Sequence, residues 1–399
     1  LKKYSLLAMK TLTARTLFQT LSQEAHNYHY ILIEGMPGVG KATLVESVFR
    51  DLSRLDLNDL HPRNLATTQP AVFFEVYGKS LVIEHIEYAP NLIDFLPAPE
   101  DGVFVVMTGY LPEDKKVKLL QSGAAKVYRL MPLSQRELAG TNALPFGKTH
   151  IPITMSYPTV GLFDTIRNGF LLRPNAMVSN SAFYETWLAD FFNQHVRGVL
   201  RVAKDTHFYA YMKALAAANM QEINHFQLAK QARISYGTAM YWTRFLIESG
   251  VVFEVPSLKL ATRRQVKRAK VAYTDTGLLC HLLDIRDSQA LLSSAYYPGI
   301  FAGFCAAEIM KGYFAYGLEA PLYFYRDTAR RHIELVIARP ESLLPLAFLS
   351  KRCTPMRVAI REMDVLIRMG ERRDDPVFIS DATETVDQTA YAIVSASNL

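Results

Sequence analysis

Short apolar runs separated by helix-like segments fill the first third of the chain. Residues 31–33, 81–83 and 103–107 are apolar throughout and predict three buried strands, and residues 127–131 predict a fourth. Residues 71–76 predict a further strand, although Glu75 lies inside it. The intervening segments carry apolar residues at helical spacing. This alternation predicts an α/β fold with a parallel sheet that binds its ligand at the carboxyl ends of the strands.

The pattern changes after residue 140. Residues 139–180 are rich in Pro, Gly, Asn and Thr, as in a linker, and residues 181–202 return to helical spacing. A helix, a short turn, a second helix and a strand are predicted over residues 226–253. Residues 322–327, 332–337 and 343–349 predict further strands, and residues 376–379 and 389–394 predict edge strands. We therefore expect four segments, with boundaries at 1–140, 141–205, 206–270 and 271–399.

Composition and charge are those of an ordinary globular protein. The 399 residues carry a net charge of +6, which permits an acidic partner such as nucleic acid without requiring one. Cys280, Cys305 and Cys353 have no paired spacing, as expected for buried thiols in a reducing cytoplasm. No run of 18 apolar residues predicts a membrane span. Residues 1–20 predict an amphipathic helix rather than a signal peptide.

The first chemical motif follows the strand at 31–33. A glycine-rich turn closes on Lys41 and leads into a predicted helix, which is the context of a phosphate-binding loop (P-loop). Backbone N–H groups and the helix N-terminus face the anion, and Lys41 adds a charge for the β- and γ-phosphates of ATP or ADP. The pattern asks for a hydroxyl after the lysine to hold Mg²⁺, but the chain has Ala42, so dependence on Mg²⁺ is in question. The predicted nucleotide-binding residues of the loop are Gly35, Pro37, Gly38, Val39, Gly40, Lys41, Ala42 and Thr43.

The strand at 81–83 ends in the second motif. In P-loop enzymes this strand end supplies a Mg²⁺ ligand and then the base that orients the attacking water. The corresponding residues here are Glu84, a weak metal ligand, and His85, a poor replacement for a carboxylate base. Glu87 is a candidate substitute for that base. Thr108, at the end of the next strand, is a candidate sensor of the γ-phosphate.

These motifs resemble one known family. The P-loop, the segment 81–92 with its Ala89-Pro90 pair, and the segments 107–109 and 131–138 are similar to prokaryotic AAA-type ATPases that carry a winged helix and a C-terminal restriction-nuclease-like domain. The resemblance implies a P-loop domain at 1–140, a winged helix at 206–270 and a nuclease-like α/β domain at 271–399. It also implies a catalytic arginine before the fourth strand, where this chain has Lys126. Lys126 keeps the charge but lacks the two-pronged contact of arginine.

The predicted winged helix offers a surface for DNA. Ser235 suits the N-cap of its second helix and Gly250 suits the end of that helix. A DNA reader would direct Tyr236, Thr238 and Tyr241 toward the groove. Winged helices also serve as protein-binding modules, so both partners remain open. The basic side chains predicted to meet phosphates are Arg244, Arg263, Arg264, Lys267 and Arg268.

The C-terminal segment keeps turn residues of the family and changes its acids. Asp275 is expected to cap a helix, and Gly277 to supply a permissive backbone. The resemblance to restriction nucleases assigns metal-binding positions to Glu308 and Glu334. The strand that should carry the Glu-x-Lys step has Ala347-Phe-Leu349 instead, and Lys351 comes two residues late. Nuclease activity is therefore not expected.

Three functional hypotheses follow. The first is an AAA-type P-loop protein that binds ATP or ADP, hydrolyses ATP weakly or not at all, and changes its contact with DNA or a partner protein when nucleotide binds. The second is an active ATPase in which Glu84, Glu87 and Lys126 replace the family residues. The third is a DNA-binding or scaffold protein without nucleotide dependence.

Overall fold

The computed structural model describes residues 14–146, 161–173, 178–200, 202, 205–260, 268–328, 331–349, 356–368, 372–381, 386–388 and 391–396. Helices and three sheets make up this part of the chain. The sheets contain five, three and six strands in chain order.

The first sheet is parallel throughout, as the sequence predicts. Its order is β2-β3-β4-β1-β5, so the strand before the P-loop lies inside the sheet. Its strands are β1 (Tyr30–Glu34), β2 (Ser53–Asp56), β3 (Ser80–Glu84), β4 (Phe104–Gly109) and β5 (Ala125–Arg129). The helices around it are α1 (Thr16–Glu24), α2 (Lys41–Val48), α3 (Leu60–Thr68), α4 (Phe73–Tyr77), α5 (Glu113–Gln121) and α6 (Gln135–Leu138). Short 3₁₀ turns span Ala25–Asn27, Pro70–Val72, Ile86–Tyr88 and Pro90–Phe95.

The strand predicted at residues 71–76 is wrong. These residues form a 3₁₀ turn and α4, in which the rings of Phe73 and Tyr77 meet 5.0 Å apart, one helical turn from each other. The second strand is β2, whose sequence Ser-Arg-Leu-Asp lacks an apolar run because β2 is a half-exposed edge strand.

The middle of the chain is mainly helical. Its helices are α7 (Leu162–Asn168), α8 (Asn180–Phe191), a π-helical segment at Phe192–Arg197, α9 (Asp205–Ala217), α10 (His225–Ala232) and α11 (Tyr236–Glu248). An antiparallel sheet of order β6-β8-β7 accompanies them, with β6 (Gln221–Glu222), β7 (Val252–Val255) and β8 (Lys270–Tyr273). Helices α12 (Thr276–Leu282) and α13 (Ser288–Ser293) follow. The boundary predicted after residue 270 thus falls on the first residue of β8.

Both predicted caps of α11 are present. The Ser235 hydroxyl accepts a hydrogen bond from Thr238 N, and Gly250 has φ of 73°. Asp275 caps α12 through Leu278 N at 2.8 Å, as predicted. The prediction that Gly277 supplies a permissive backbone is wrong, because its φ is not positive. A Cβ there would lie 2.1 Å from the Tyr184 hydroxyl, so close packing requires glycine.

The C-terminal sheet is mixed, with the order β13-β14-β12-β11-β10-β9. The segments predicted as edge strands, β12 and β14, lie inside it, because β13 pairs with β14 and covers the last strand. Its elements are α14 (Tyr297–Phe314), β9 (Leu322–Arg326), β10 (His332–Ala338), β11 (Leu343–Leu349), α15 (Met356–Arg368), β12 (Val377–Ser380), β13 (Val386–Gln388) and β14 (Tyr391–Ser395).

A shared core joins the three parts. One apolar cluster contains side chains from one face of the first sheet, the middle helices, α14 and the C-terminal strands. A second cluster fills the opposite face of the first sheet, and a third lies under α15. The phosphate loop therefore sits on a scaffold that is packed directly against the middle of the chain.

Candidate phosphate-binding site

Two glycines in the loop between β1 and α2 have a left-handed backbone. Gly38 has φ of 86°, and Gly40, the residue before α2, has φ of 92°. Both values lie in the left-handed region, where a side chain is strained. These glycines turn the chain so that α2 begins at Lys41 with its N-terminus toward the loop.

Backbone donors are free along this loop. Among the described residues, no acceptor is present for the N–H groups of Gly38, Gly40, Lys41 and Ala42, whereas Leu44 N already donates to Gly40 O. Unpaired N–H groups at a helix N-terminus form a natural anion site, and the helix dipole adds to it. The loop thus offers the donors that a phosphate group needs.

Lys41 lies against the loop itself. Its Nζ donates to Gly35 O at 2.7 Å and to Met36 O at 3.1 Å. Burial lowers the pKa of Lys41 to about 8, while the charges of Glu87, Glu34 and Glu84 act in the opposite direction. The side-chain nitrogen of Lys41 is therefore held by carbonyl groups at the start of the loop, and three nearby acids favour its charged form.

Glu84 is held by an arginine from the neighbouring strand. Arg54 Nε donates to Glu84 Oε1 at 2.9 Å, and a second nitrogen of the same guanidinium contacts that oxygen. The guanidinium also lies 3.4 Å from Ala42 O. With no hydroxyl at residue 42 and Glu84 bound to Arg54, these two positions do not fit Mg²⁺.

His85 is bonded to residues at and after the end of β2. It adopts the left-handed conformation, with φ of 59°, and its Nδ1 lies 2.7 Å from Asp56 Oδ1. Asn58 Nδ2 contacts the same ring at 3.2 Å. The residue at the expected position of the base is thus engaged with the end of β2.

Glu87 is the acid whose charge acts most strongly on Lys41. It is 5% exposed, burial raises its pKa, and its Oε2 has no hydrogen-bond partner among the described residues. Its Oε1 lies 3.7 Å from His195 Nδ1. Burial, together with the charges of Lys41 and His85, lowers the pKa of His195 to about 3. Tyr110 Oη approaches the same ring nitrogen at 3.4 Å.

Thr108 and Lys126 lie on different ends of the sheet. Thr108 is buried near the carboxyl end of β4, opposite Ile33. Lys126 lies near the beginning of β5, and its ammonium is 5.8 Å from the Tyr128 ring centroid. Because the strands are parallel, the structure does not bring Lys126 to the phosphate loop.

The middle of the chain covers the loop. Trp187 of α8 donates from Nε1 to Pro37 O at 2.9 Å, and a Cβ on Gly38 would lie 3.4 Å from that nitrogen. Gly250, at the end of α11, packs on Met36 N so closely that a Cβ would lie 2.8 Å away. Thr43 is exposed, whereas Val39 is buried and its carbonyl lies 3.4 Å from Arg15.

No pattern in the sequence indicates that Arg54, Trp187 or His195 lies next to the loop. Arg54 lies in a short, polar strand, and the other two lie more than 140 positions away along the chain.

The predicted DNA-facing surface is aromatic rather than basic where it is described. Tyr236 and Tyr241 are 54% and 58% exposed, while Thr238 is half-buried. Arg244 is paired with Glu248 at 2.8 Å. Arg268 is exposed. The other predicted basic contacts lie outside the described residues; they are Arg263, Arg264 and Lys267.

Both acids at the nuclease positions are paired. Glu334 accepts from Lys270 Nζ at 3.1 Å, and the same nitrogen lies 3.1 Å from His332 Nε2. Glu308 is bonded to Lys311 at 2.5 Å and accepts from Gln135 N at 2.9 Å. Ala347 of β11 supplies no carboxylate, and Lys351 lies outside the described residues. Within the described ranges, no cluster of three or more His, Cys, Asp or Glu side chains is arranged to hold a metal.

Comparisons with known proteins identify one matching domain. A family model described as a domain of unknown function (DUF8612) matches residues 174–289, less than a third of the chain. That range contains α8 through α12, including Trp187 and His195. A comparison with curated proteins gives no match. In the part of the chain that the structure describes, no helix is long and apolar enough to cross a membrane.

Two solved structures resemble the chain weakly. One is a signal transduction ATPase with numerous domains and a tetratricopeptide repeat sensor from Pyrococcus horikoshii, with 12% identity, a TM-score of 0.25, and coverage of 74% of this chain and 47% of that chain. The other is Drosophila ORC bound to AT-rich DNA and Cdc6, with 9% identity, a TM-score of 0.20, and coverage of 68% and 93%. This chain thus spans about half the length of the first. Neither score is high enough to define the fold.

Proposed function

We propose that this chain is an AAA-type P-loop protein that binds ATP or ADP and hydrolyses ATP weakly or not at all. The observation that carries the proposal is the set of free N–H groups at Gly38, Gly40, Lys41 and Ala42, beside a charged lysine. A nucleoside polyphosphate is the ligand class that matches such a cradle. The parallel sheet, with the loop after an inner strand, supports the same reading.

Weak hydrolysis follows from the surroundings of the acids. Glu84 is bound to Arg54 and His85 to Asp56, so neither side chain is free to position a metal or a water. Glu87 remains as a candidate base near Lys41. Its Oε2 is packed so closely on Gly109 that a Cβ there would lie 2.0 Å away. Loss of a general base costs about 10²- to 10⁴-fold in rate.

Nucleotide binding would change how the middle domain sits on the loop. Trp187 contacts Pro37 and Gly38, and the end of α11 contacts Met36, so phosphate entering the loop meets both elements. A ligand that favours one arrangement of these contacts shifts the population toward it. The proposal therefore includes a nucleotide-dependent surface on the predicted winged helix at 206–270, with the nuclease-like domain at 271–399 as packing scaffold.

The test is a titration of the purified protein with ATP and with ADP, together with a phosphate-release assay. Trp187 reports on the loop directly by fluorescence, and Trp242→Phe removes the other tryptophan of the chain. We expect micromolar affinity, and Lys41→Ala should weaken it at least about tenfold, or 1.4 kcal/mol. Lys79→Ala, which changes an exposed lysine of the same domain, is the matched control.

The outcomes separate the three hypotheses. Binding without phosphate release above the Lys41→Ala background supports the proposal. Clear turnover that Glu87→Gln abolishes would instead establish the active ATPase. Absence of binding at millimolar nucleotide would contradict both and leave the DNA-binding or scaffold protein.

The partner of the predicted winged helix is DNA or another protein. Tyr236 and Tyr241 are both exposed aromatic side chains on α11, and such side chains suit stacking or protein contact better than charge readout. Anisotropy of labelled duplex and single-stranded DNA, at two salt concentrations and with or without ATP, tests the DNA reading. Loss of affinity in Tyr241→Ala and a change with ATP would support it, whereas no DNA binding would favour a protein partner.

A further inference from the structure

The two side-chain positions that hold Mg²⁺ in the P-loop pattern are 42 and 84, and one arginine contacts both. Arg54 lies on β2, next to the strand that ends in Glu84. Its guanidinium donates to Glu84 Oε1 at 2.9 Å and lies 3.4 Å from Ala42 O. The remaining nitrogen is 3.6 Å from Glu46, which is largely exposed. The positive charge beside α2 is therefore that of the Arg54 guanidinium.

A metal ion would have to displace this arginine. Guanidinium does not lose its proton in proteins, and its planar donors match a carboxylate well. A divalent cation bound to Glu84 would lie next to a permanent positive charge and break two contacts. Ala42 offers no hydroxyl in compensation. The arrangement thus disfavours Mg²⁺ at the place where Mg²⁺ accompanies ATP in the resembled family.

We infer that Arg54 replaces the metal, so that this chain binds the metal-free nucleoside polyphosphate rather than its Mg²⁺ complex. The inference rests on the proposed function, because it concerns the form of the nucleotide that the same loop takes. The free N–H groups and Lys41 contact the phosphates, while Arg54 neutralises Glu84 and keeps its charge from repelling them. Mg²⁺ added in excess competes for the ligand and lowers the apparent affinity.

The experiment is a titration with a fluorescent ADP analogue, once in EDTA and once in excess Mg²⁺. The wild type should bind the analogue more tightly in EDTA than in excess Mg²⁺. Arg54→Met should bind about tenfold more weakly in EDTA and gain affinity when Mg²⁺ is added, because Glu84 is then unpaired and free to bind the ion. Arg50→Met, a nearby exposed arginine, should behave like the wild type in both buffers.

Two further variants keep the test interpretable if Arg54→Met unfolds. Arg54→Lys retains the charge and should keep binding in EDTA. Arg54→Met combined with Glu84→Gln leaves no unpaired acid, and should fold and bind without gaining from Mg²⁺. Unfolding is monitored by circular dichroism.

The failures are distinguishable. Wild-type binding that is equally tight in the two buffers, or tighter in Mg²⁺, overturns the inference and leaves the proposed function standing. An Arg54→Met variant that is folded and indistinguishable from the wild type in both buffers also overturns it. Absence of binding in both buffers overturns the proposed function, and the inference with it.

Discussion

The loop near Lys41 and the C-terminal sheet near Glu334 differ in whether their polar groups have partners within the protein. In the loop, the N–H groups of Gly38 and Gly40 have no acceptor within the described residues. In the C-terminal part, Glu334 is bonded to Lys270 and Glu308 to Lys311. The loop can therefore donate hydrogen bonds to an anion, whereas the acids of the C-terminal part are already paired with lysines of the same chain.

The difference follows from what each kind of site is made of. The loop's donors are backbone groups, set by glycine conformations, and they survive changes in the surrounding side chains. A two-acid metal site depends on several side chains, each of which a neighbouring cation can neutralise. Glu84 belongs to the second kind, because Arg54 holds it as Lys270 holds Glu334. Such pairing takes a carboxylate out of a side-chain metal site but leaves backbone donors unchanged.

Glu308 and Lys311 should show the largest effect on stability. Their side chains are 0% and 3% exposed, and Lys311 Nζ also donates to Leu133 O at 2.9 Å. Lys311→Met leaves a buried carboxylate without its cation, so we expect the free energy of unfolding to fall by about 3 to 5 kcal/mol. Urea unfolding followed by circular dichroism measures it.

Two controls define that result. Lys213→Met breaks an exposed pair with Asp284, of 2.7 Å, and should cost less than about 1 kcal/mol. Glu308→Leu combined with Lys311→Met removes both charges and should recover part of the loss. A Lys311→Met effect as small as that of Lys213→Met would show that the pair does not stabilise the packing of α14, and the contrast between the two regions would weaken.

The sequence predicted those parts of the fold that depend on neighbours in the chain. The P-loop, three buried strands and the caps at Ser235 and Asp275 are local patterns, and the structure contains all of them. The edge strand β2 was missed because its residues are half-exposed and carry no apolar run. Residues 71–76 were assigned the wrong element because apolar runs of that length suit a short helix as well as a strand.

The surroundings of the site depended on contacts between distant segments. The apolar run at 81–83 predicts that Glu84 lies at a strand end. The pairing of β2 with β3, which the sequence pattern does not predict, brings Arg54 to Glu84. Similarly, the position of Glu87 became informative only when packing brought His195 beside it.

His195 offers a smaller effect, which appears as a dependence on pH. Its pKa in the folded state is about 3, below the usual value near 6.5. Below pH 6.5 the unfolded chain therefore takes up a proton that the folded chain does not, and stability falls as pH falls. His195→Phe, which keeps the stack on Phe191, should remove this loss of about 1.4 kcal/mol per pH unit.

Glu87 affects the pH dependence of stability in the opposite direction, so Glu87→Gln is the control. Burial raises its pKa, so the stability that it contributes is present below its unfolded pKa and is lost as pH rises through the folded value. Unfolding at pH 6, 5 and 4 should show His195→Phe gaining on the wild type as pH falls, and Glu87→Gln losing. Parallel curves for all three proteins would mean that His195 is as accessible to protons when folded as when unfolded.

Gly38 should show the smallest effect on stability and the sharpest on binding. An alanine at φ of 86° costs about 1 kcal/mol, and its methyl group would lie 3.4 Å from Trp187 Nε1, where the middle of the chain covers the loop. Gly102→Ala is the matched control, because Gly102 has a similar φ of 84° and nothing lies within 4 Å of its Cβ. Both variants should lose about 1 kcal/mol in urea, but only Gly38→Ala should lose about tenfold in ATP affinity. Equal ATP affinity of the two variants would mean that this loop does not bind the phosphates. The loop would then no longer differ from the C-terminal sheet in being open to a ligand.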